Sequence, residues 1–223
     1  MNRLIVEGSE DKLFITHLLQ TLGNVDVQEI NPIDGIENFE YSNKLEKALI
    51  TVKNDVIKKS LKKVGLILDQ DDKENDRIAF LNKHIHIVFG KQYSLINQSE
   101  SIQIEIDGAI LELSLFVMNV NGAGEMNSML RIISTQPSNF ADCLQHWKVC
   151  ADPKSEIISN NEFDKLWVHY FIRWDNSTKE QRANSNKNCT IKAVLENKPQ
   201  IFDFENKSLD DLKNYLNQFV DKK

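Results

Sequence analysis

The stretch "VGLILDQDD" at residues 64–72 joins an apolar run to a group of acidic residues. The run has the length of a strand and is bounded by polar residues, which is typical of a strand buried on both faces of a parallel sheet. Asp69 and Asp71 follow it and are separated by one residue. Because alternate side chains share a face in extended backbone, both carboxylates are expected to point into one cleft.

The same order of residues occurs earlier, where "LIVEGSED" at residues 4–11 leads from three apolar residues to Glu7. A buried strand that delivers Glu7 to a cleft needs this order, and so does an ordinary strand that ends at a polar turn. Asp11 is expected one turn into the following helix, near the same rim. Glu7 is therefore a candidate to complete a site with the two aspartates.

Helical and strand patterns alternate around these two stretches. The apolar spacing predicts a helix over Ser9 to Thr21, a second strand over 25–30, and a long amphipathic helix whose apolar face extends from Leu45 to Val56. The order β, α, β, α, β predicts an α/β fold with a doubly wound, mainly parallel sheet. Such sheets bind ligands beyond the carboxyl ends of their strands, which is where the acidic residues lie.

The next segment is predicted to contain a short helix near Asp76 to Asn82 and a strand over "HIHIVF" at 84–89. A β-hairpin is expected to turn at Asp107-Gly108, and a glycine-containing corner within 121–134 is expected to lead into a helix.

From about residue 136 the sequence becomes more polar, and it predicts helices over 162–174 and 208–220. We therefore predict a core over 1–135 that includes the hairpin insertion. The helical elaboration over 136–223 is expected to pack on that core.

The composition is that of a globular protein, with 41% hydrophobic and 27% charged residues. The net charge of -6 argues against a protein that coats nucleic acid by charge alone, but it does not exclude an enzyme whose acidic cluster is neutralised by a metal. No apolar stretch approaches the roughly 18 residues of a membrane span, and no signal-like segment begins the chain. With three cysteines expected as free thiols, we expect a cytoplasmic protein with no membrane partner.

The two acidic motifs resemble those of the TOPRIM domain of topoisomerases, bacterial primases, OLD-type nucleases and ribosomal RNA maturases. In that domain a glutamate after the first strand and a D-x-D pair after a later strand bind Mg²⁺ for phosphoryl transfer on nucleic acid. The chain is more similar to small TOPRIM-like bacterial proteins catalogued as a domain of unknown function, DUF3226. That family's pattern is similar here to "DQDD", "FVMNVNGAGEMNSML" and "FDKLWVHYFIRW", so the resemblance covers nearly the whole chain.

This resemblance implies a TOPRIM-like, Rossmann-like fold with a metal site. Glu7 matches the motif glutamate, and Asp69 and Asp71 match the pair that holds Mg²⁺ or Mn²⁺. Asp11 and Glu125 are each either a further metal ligand, for a second metal, or a helix N-terminal acid that complements the helix dipole.

The implied activity is Mg²⁺- or Mn²⁺-dependent hydrolysis of phosphodiester bonds in DNA or RNA. Asp69 and Asp71 are expected to anchor the metal, and Glu7 to be a ligand or a general acid or base. Lys165 either neutralises the charge that develops on the phosphorane or is a surface lysine of an amphipathic helix. The alternative is a non-catalytic module of the same fold that binds nucleic acid or a protein partner, and a homodimer is left open.

Two further features have two interpretations each. Trp147, Trp167 and Trp174 either stack on bases or pack against other side chains. The stretch 179–198 carries five basic and two acidic residues, and it either contacts phosphates or is a solvated loop.

Overall fold

The structure is a computed structural model, and it describes residues 1–23, 29–33, 44–71, 76–98, 100–135, 137–154 and 156–219. The strands are β1 (Asn2–Val6), β2 (Glu29–Pro32), β3 (Lys63–Asp69), β4 (Ser101–Ile106) and β5 (Ala109–Met118). The α-helices are α1 (Ser9–Thr21), α2 (Lys44–Lys59), α3 (Arg77–Val88), α4 (Met126–Ile132), α5 (Cys143–Ala151), α6 (Asn160–Tyr170), α7 (Lys179–Ala183), α8 (Ser185–Asn188), α9 (Ile191–Asn197) and α10 (Asp210–Asn217). A π-helical segment spans Phe171–Asp175, and 3-10 turns span Pro199–Ile201 and Lys207–Leu209.

The chain divides into two compact units. The first comprises Met1–Met118 and Asp211–Lys223, and the second comprises Asn119–Asp210. The strands found in the described residues all belong to the first unit, whereas helices α4 to α9 belong to the second. The division at residue 135, which the sequence predicts, stays a prediction.

The five strands form one sheet in the order β2-β1-β3-β5-β4. The pairs β1–β2, β1–β3 and β3–β5 are parallel, and β4–β5 is antiparallel. This arrangement confirms the prediction of an α/β fold with a mainly parallel sheet. The chain leaves β1 toward β2 on one side and reaches β3 on the other, so a topological switch point lies between β1 and β3.

The central strand β3 is covered on both faces, as its apolar run predicts. Val64, Leu66 and Leu68 are fully buried. A side chain at Gly65 would lie 2.5 Å from the Phe219 ring, so only glycine allows the C-terminal segment to approach this closely. The Tyr215 hydroxyl of α10 donates a hydrogen bond to the Leu66 carbonyl at 3.2 Å.

The strand predicted over 84–89 is wrong, because residues 84–88 lie in helix α3 and Phe89 is the C-cap residue of that helix. Asp76, whose side chain accepts the Ala79 N–H at 2.8 Å, begins the helix. Its buried positions recur three or four residues apart and are Arg77, Leu81, His84, Ile85 and Val88. The alternation of "HIHIVF" is too short to exclude this helical spacing.

Other local predictions agree with the structure. The helix over Ser9–Thr21 is confirmed as α1, and the hairpin is confirmed as β4–β5. The backbone φ angles of Asp107 (48°) and Gly108 (82°) are both positive, as a two-residue hairpin turn requires. Of the strand predicted over 25–30, residues 25–28 lie outside the described residues, and the rest belongs to β2. No helix within the described ranges has the length and apolarity needed to cross a membrane.

Candidate metal centre

The parallel pairing of β1 and β3 places Glu7 beside the end of β3. Val6 is opposite Ile67 in the sheet, so the two strands reach the same edge. The Glu7 Oε2 atom accepts a hydrogen bond from the Asp69 backbone N–H at 3.3 Å. Glu7 and Asp69 therefore lie side by side at the carboxyl edge of the sheet, next to the switch point.

A turn brings Asp69 and Asp71 together. One carboxylate oxygen of Asp69 lies within 4.8 Å of one from Asp71. The strand ends at Asp69, and Asp71 has a left-handed backbone with φ 57°. The extended backbone expected through Asp71 is therefore wrong, although the two carboxylates come together as predicted. Positive φ at a residue other than glycine is uncommon and is concentrated at functional sites.

Arg77 is a buried cation that contacts this turn. Its Nε atom donates to the Asp69 carbonyl at 2.6 Å, and its Nη2 atom pairs with the Asp71 carboxylate. Sequence analysis missed this residue. The available signal was an arginine in the first turn of a helix directly after an acidic stretch.

Asp11 lies in the first turn of α1, where its carboxylate accepts the Gly8 backbone N–H at 2.6 Å. This contact matches the role of a helix N-terminal acid, which the sequence left open. Asp11 also acts on Glu7, because its negative charge raises the pKa of Glu7.

The electrostatic environment of Glu7 favours its neutral form. Burial is the main cause that raises the pKa of Glu7 from its ordinary value of 4.5 to about 6. The charges of Asp71 and Asp11 raise this pKa further, whereas the Asp69 N–H and the Arg77 guanidinium lower it. A carboxyl group with a pKa near 6 gains and loses a proton close to neutral pH, as a general acid or base must.

Glu125 and Lys165 lie together in the second unit. The Lys165 Nζ atom is 3.0 Å from Glu125 Oε2, and the Asn127 side-chain amide donates to Glu125 Oε1 at 2.9 Å. Glu125 is buried and is the N-cap residue of α4, which is the position of a helix N-terminal acid. Metal binding by Glu125 and catalysis by Lys165 stay predictions.

Asp164 is a second residue that sequence analysis missed. It accepts a hydrogen bond from the Ser128 hydroxyl at 2.6 Å and pairs with Arg131 at 2.7 Å. These contacts join α6 to α4 within the second unit. Asp164 stands in the "FDKLW" stretch, where only the lysine was assigned a role.

Comparison with known proteins matches nearly the whole chain to one family. A family model described as "Protein of unknown function (DUF3226)" matches residues 1–221. Searches of the curated proteins and of the solved structures found no match. Because the match covers 221 of the 223 residues, we conclude that the chain belongs to the DUF3226 family.

Proposed function

We propose that the protein is a Mg²⁺- or Mn²⁺-dependent phosphodiesterase with a TOPRIM-like fold that hydrolyses DNA or RNA. The observation that carries this proposal is the pair of carboxylates from Asp69 and Asp71, whose oxygens lie within 4.8 Å at the carboxyl edge of the sheet. Glu7, whose pKa is raised to about 6, lies beside them. The reaction class, phosphodiester hydrolysis, is inferred from the resemblance of the two acidic motifs to those of the TOPRIM domain.

The residues fit a hard divalent cation. Carboxylate oxygens are the ligands that Mg²⁺ and Mn²⁺ prefer. The negative charge of Asp71 raises the pKa of Glu7, so a cation bound among these groups relieves a repulsion that already exists. The pairing of Asp71 with Arg77 is compatible with metal binding, because carboxylate oxygens have enough lone pairs to bridge a guanidinium and a metal.

Each residue has a distinct task in this proposal. Asp69 and Asp71 hold the metal, which when bound polarises the phosphate. The Glu7 Oε2 atom accepts the Asp69 N–H at 3.3 Å, so Oε1 is the atom that takes a proton from an attacking water. Arg77 is a positioning residue, because it ties the Asp69 carbonyl and the Asp71 carboxylate into one turn.

The test is cleavage of labelled single- and double-stranded DNA and RNA in the presence of Mg²⁺ or Mn²⁺. The wild type is compared with Asp69→Ala and Glu7→Gln, and with Glu29→Gln as a carboxylate control from the start of β2. We expect the wild type to cut at least one substrate and chelation by EDTA to stop it. Both site variants should be slower by a factor of about 100 or more, while the control retains activity.

Either of two results overturns the proposal. The first is that no substrate is cut with either metal. The second is that cleavage persists at the wild-type rate in Asp69→Ala and Glu7→Gln, because the nuclease would then lie elsewhere.

One observation favours a second candidate, a non-catalytic module that binds nucleic acid or a protein partner. Arg77 already pairs with Asp71 and so neutralises part of the acidic charge without a metal. If Mg²⁺ leaves the melting temperature of the wild type unchanged and oligonucleotides bind without being cut, this second candidate replaces the first.

A further inference from the structure

An aromatic and basic surface of the second unit lies outside the proposed metal centre. We call it the Trp174 surface, and it consists of Trp174, Phe140, Arg173 and Arg182. The rings of Trp174 and Phe140 are 6.3 Å apart between centroids and are tilted by 40°. The guanidinium carbons of Arg173 and Arg182 lie 5.6 Å and 5.1 Å from the centroid of Trp174.

Both aromatic rings remain accessible to a ligand. Phe140 is 55% exposed and Trp174 is 40% exposed, although packing usually buries much of such large rings. Trp174 lies in the π-helical segment Phe171–Asp175, and π-helical segments are rare and frequent at functional sites. This local backbone presents the tryptophan beside the two arginines.

The two arginines of the Trp174 surface are not neutralised by ion pairs among the described residues. Among the described residues, neither Arg173 nor Arg182 forms an ion pair, and the buried Nε of Arg173 has no hydrogen-bond partner. Arg182 donates to the Ser177 carbonyl. The adjacent Asp175 carboxylate is committed to the loop before α5, where it accepts the Ser138 hydroxyl at 2.5 Å and the Phe140 N–H at 3.0 Å.

The local charge differs in sign from that of the whole chain. Residues 173–198 include six basic and three acidic residues, whereas the chain has a net charge of -6. Glu180 of α7 lies two residues before Arg182 and interacts with its positive charge. A basic segment in an acidic protein confines the attraction for a polyanion to one region of the surface.

We propose that the Trp174 surface binds single-stranded nucleic acid. Trp174 and Phe140 stack on unpaired bases, and Arg173 and Arg182 bind the phosphates. Aromatic platforms beside cations are how proteins hold single strands, whereas bases within a duplex are stacked on each other and do not offer their faces. The inference rests on the proposed function for the class of ligand, and it adds that the ligand is single-stranded.

The test measures binding without cleavage. Fluorescence anisotropy is recorded in EDTA with labelled oligothymidine and oligouridine of about 16 nucleotides, and with a duplex of the same length. Trp174→Ala should weaken binding of at least one single strand by about fivefold or more. Arg182→Gln should weaken binding and reduce its dependence on salt. Trp174→Phe keeps a ring and should retain most of the affinity.

Trp147→Ala is the matched control, because Trp147 on α5 is 46% exposed and no guanidinium or ammonium is placed over its ring among the described residues. It should bind like the wild type. The inference is overturned if Trp174→Ala also binds like the wild type, or if the duplex binds as tightly as the single strands. The competing explanation is that the Trp174 surface binds a second copy of the protein, and sedimentation velocity tests it. If Trp174→Ala abolishes self-association but leaves oligonucleotide binding unchanged, the surface is a protein interface and the inference is overturned.

The design separates this inference from the proposed function. If no substrate is cut in Mg²⁺ or Mn²⁺ but Trp174→Ala loses binding in EDTA, the nuclease fails and the binding surface stands. If cleavage depends on Asp69 but Trp174→Ala binds normally, the surface fails and the nuclease stands.

Discussion

Charged side chains lie at both ends of strand β1. Those at the amino end pair with opposite charges, whereas those at the carboxyl end are mainly acids that lie close to one another. At the amino end, Arg3 is 2% exposed and is paired with Asp55 at 2.6 Å and with Glu29 at 2.5 Å. Its Nε atom also donates to Glu29 at 2.7 Å. The buried cation therefore has charged partners from the neighbouring strand and from helix α2.

At the carboxyl end, acids from the ends of the neighbouring strands β1 and β3 lie close together. Glu7 contacts the backbone of Asp69, and the charges of Asp71 and Asp11 act on it. Arg77 pairs with Asp71, yet the pKa of Glu7 remains raised to about 6.

This difference separates a structural charge network from a candidate site. A buried charge that serves stability is paired, because an unpaired buried charge costs several kcal/mol. Carboxylates that repel one another lower stability unless a proton or a cation joins them. The carboxyl end of β1 therefore has a repulsion between carboxylates that a bound cation can relieve. The amino end has no comparable repulsion, because its buried cation is paired.

The largest expected effect on stability comes from removing the buried cation at the amino end of β1. Arg3→Met removes the guanidinium that pairs with Asp55, whose side chain is 8% exposed. We expect the free energy of unfolding to fall by about 3–5 kcal/mol, measured by urea denaturation at pH 7. A loss below about 1 kcal/mol would show that the network contributes no more than a surface pair.

We expect the addition of Mg²⁺ to stabilise the protein through the residues at the carboxyl end and not through those at the amino end. At a Mg²⁺ concentration of about 100 times its Kd, the wild type should gain about 2.7 kcal/mol in its free energy of unfolding. Asp69→Asn should lose this gain, while Glu29→Gln at the amino end should keep it. Thermal unfolding with Mg²⁺ and with EDTA measures the difference, and equal gains in all three proteins would contradict a metal site at Asp69.

The pH dependence of stability tests the carboxyl end without a metal. Because the pKa of Glu7 is raised in the folded protein from 4.5 to about 6, the folded state binds the proton more tightly than the unfolded state. Its contribution is fully present below pH 4.5 and is lost as the pH rises through about 6. The loss should approach about 2 kcal/mol.

Glu7→Gln removes this titration. We expect the difference in unfolding free energy between variant and wild type, measured in EDTA, to shift in favour of the variant as the pH rises. A difference that stays constant across this range would mean that Glu7 titrates normally.

The smallest effect is expected from an ion pair that is less buried than Arg3–Asp55. Lys63 pairs with Glu112 at 3.0 Å, and the two side chains are 18% and 36% exposed. Lys63→Met keeps most of the apolar stem and should cost less than about 1 kcal/mol in urea denaturation. A cost close to that of Arg3→Met would show that burial does not set the difference between them.

Much of the sheet is predictable from local patterns. The apolar run of β3 and the spacing in α1 need no long-range information, and the turn at Asp107-Gly108 has residues that tolerate positive φ. The second half of helix α3 was misassigned because the short alternation over 84–89 fits a strand, whereas a helix was expected near Asp76 to Asn82. Its buried His84 contacts Glu46 of α2 at 3.1 Å, a tertiary contact that the local pattern does not reveal.

The site was predictable only in part. Parallel strands end at the same edge, so the proximity of Glu7 and Asp69 follows from the fold class. The contact of Arg77 depends on the left-handed turn at Asp71, which no local signal specifies for an aspartate. The pairing of Lys165 with Glu125 likewise depends on how α6 packs on α4.

The close packing at Gly65 also has a consequence for synthesis on the ribosome. The Phe219 ring occupies the space beside Gly65, and the Phe219 carbonyl accepts the Asn2 side-chain amide at 3.0 Å. The strands emerge early during translation, but the segment that covers this part of β3 emerges after the entire second unit. A nascent chain that pauses within the second unit therefore exposes an apolar face of an otherwise complete sheet. We expect chaperones to bind this face until translation resumes.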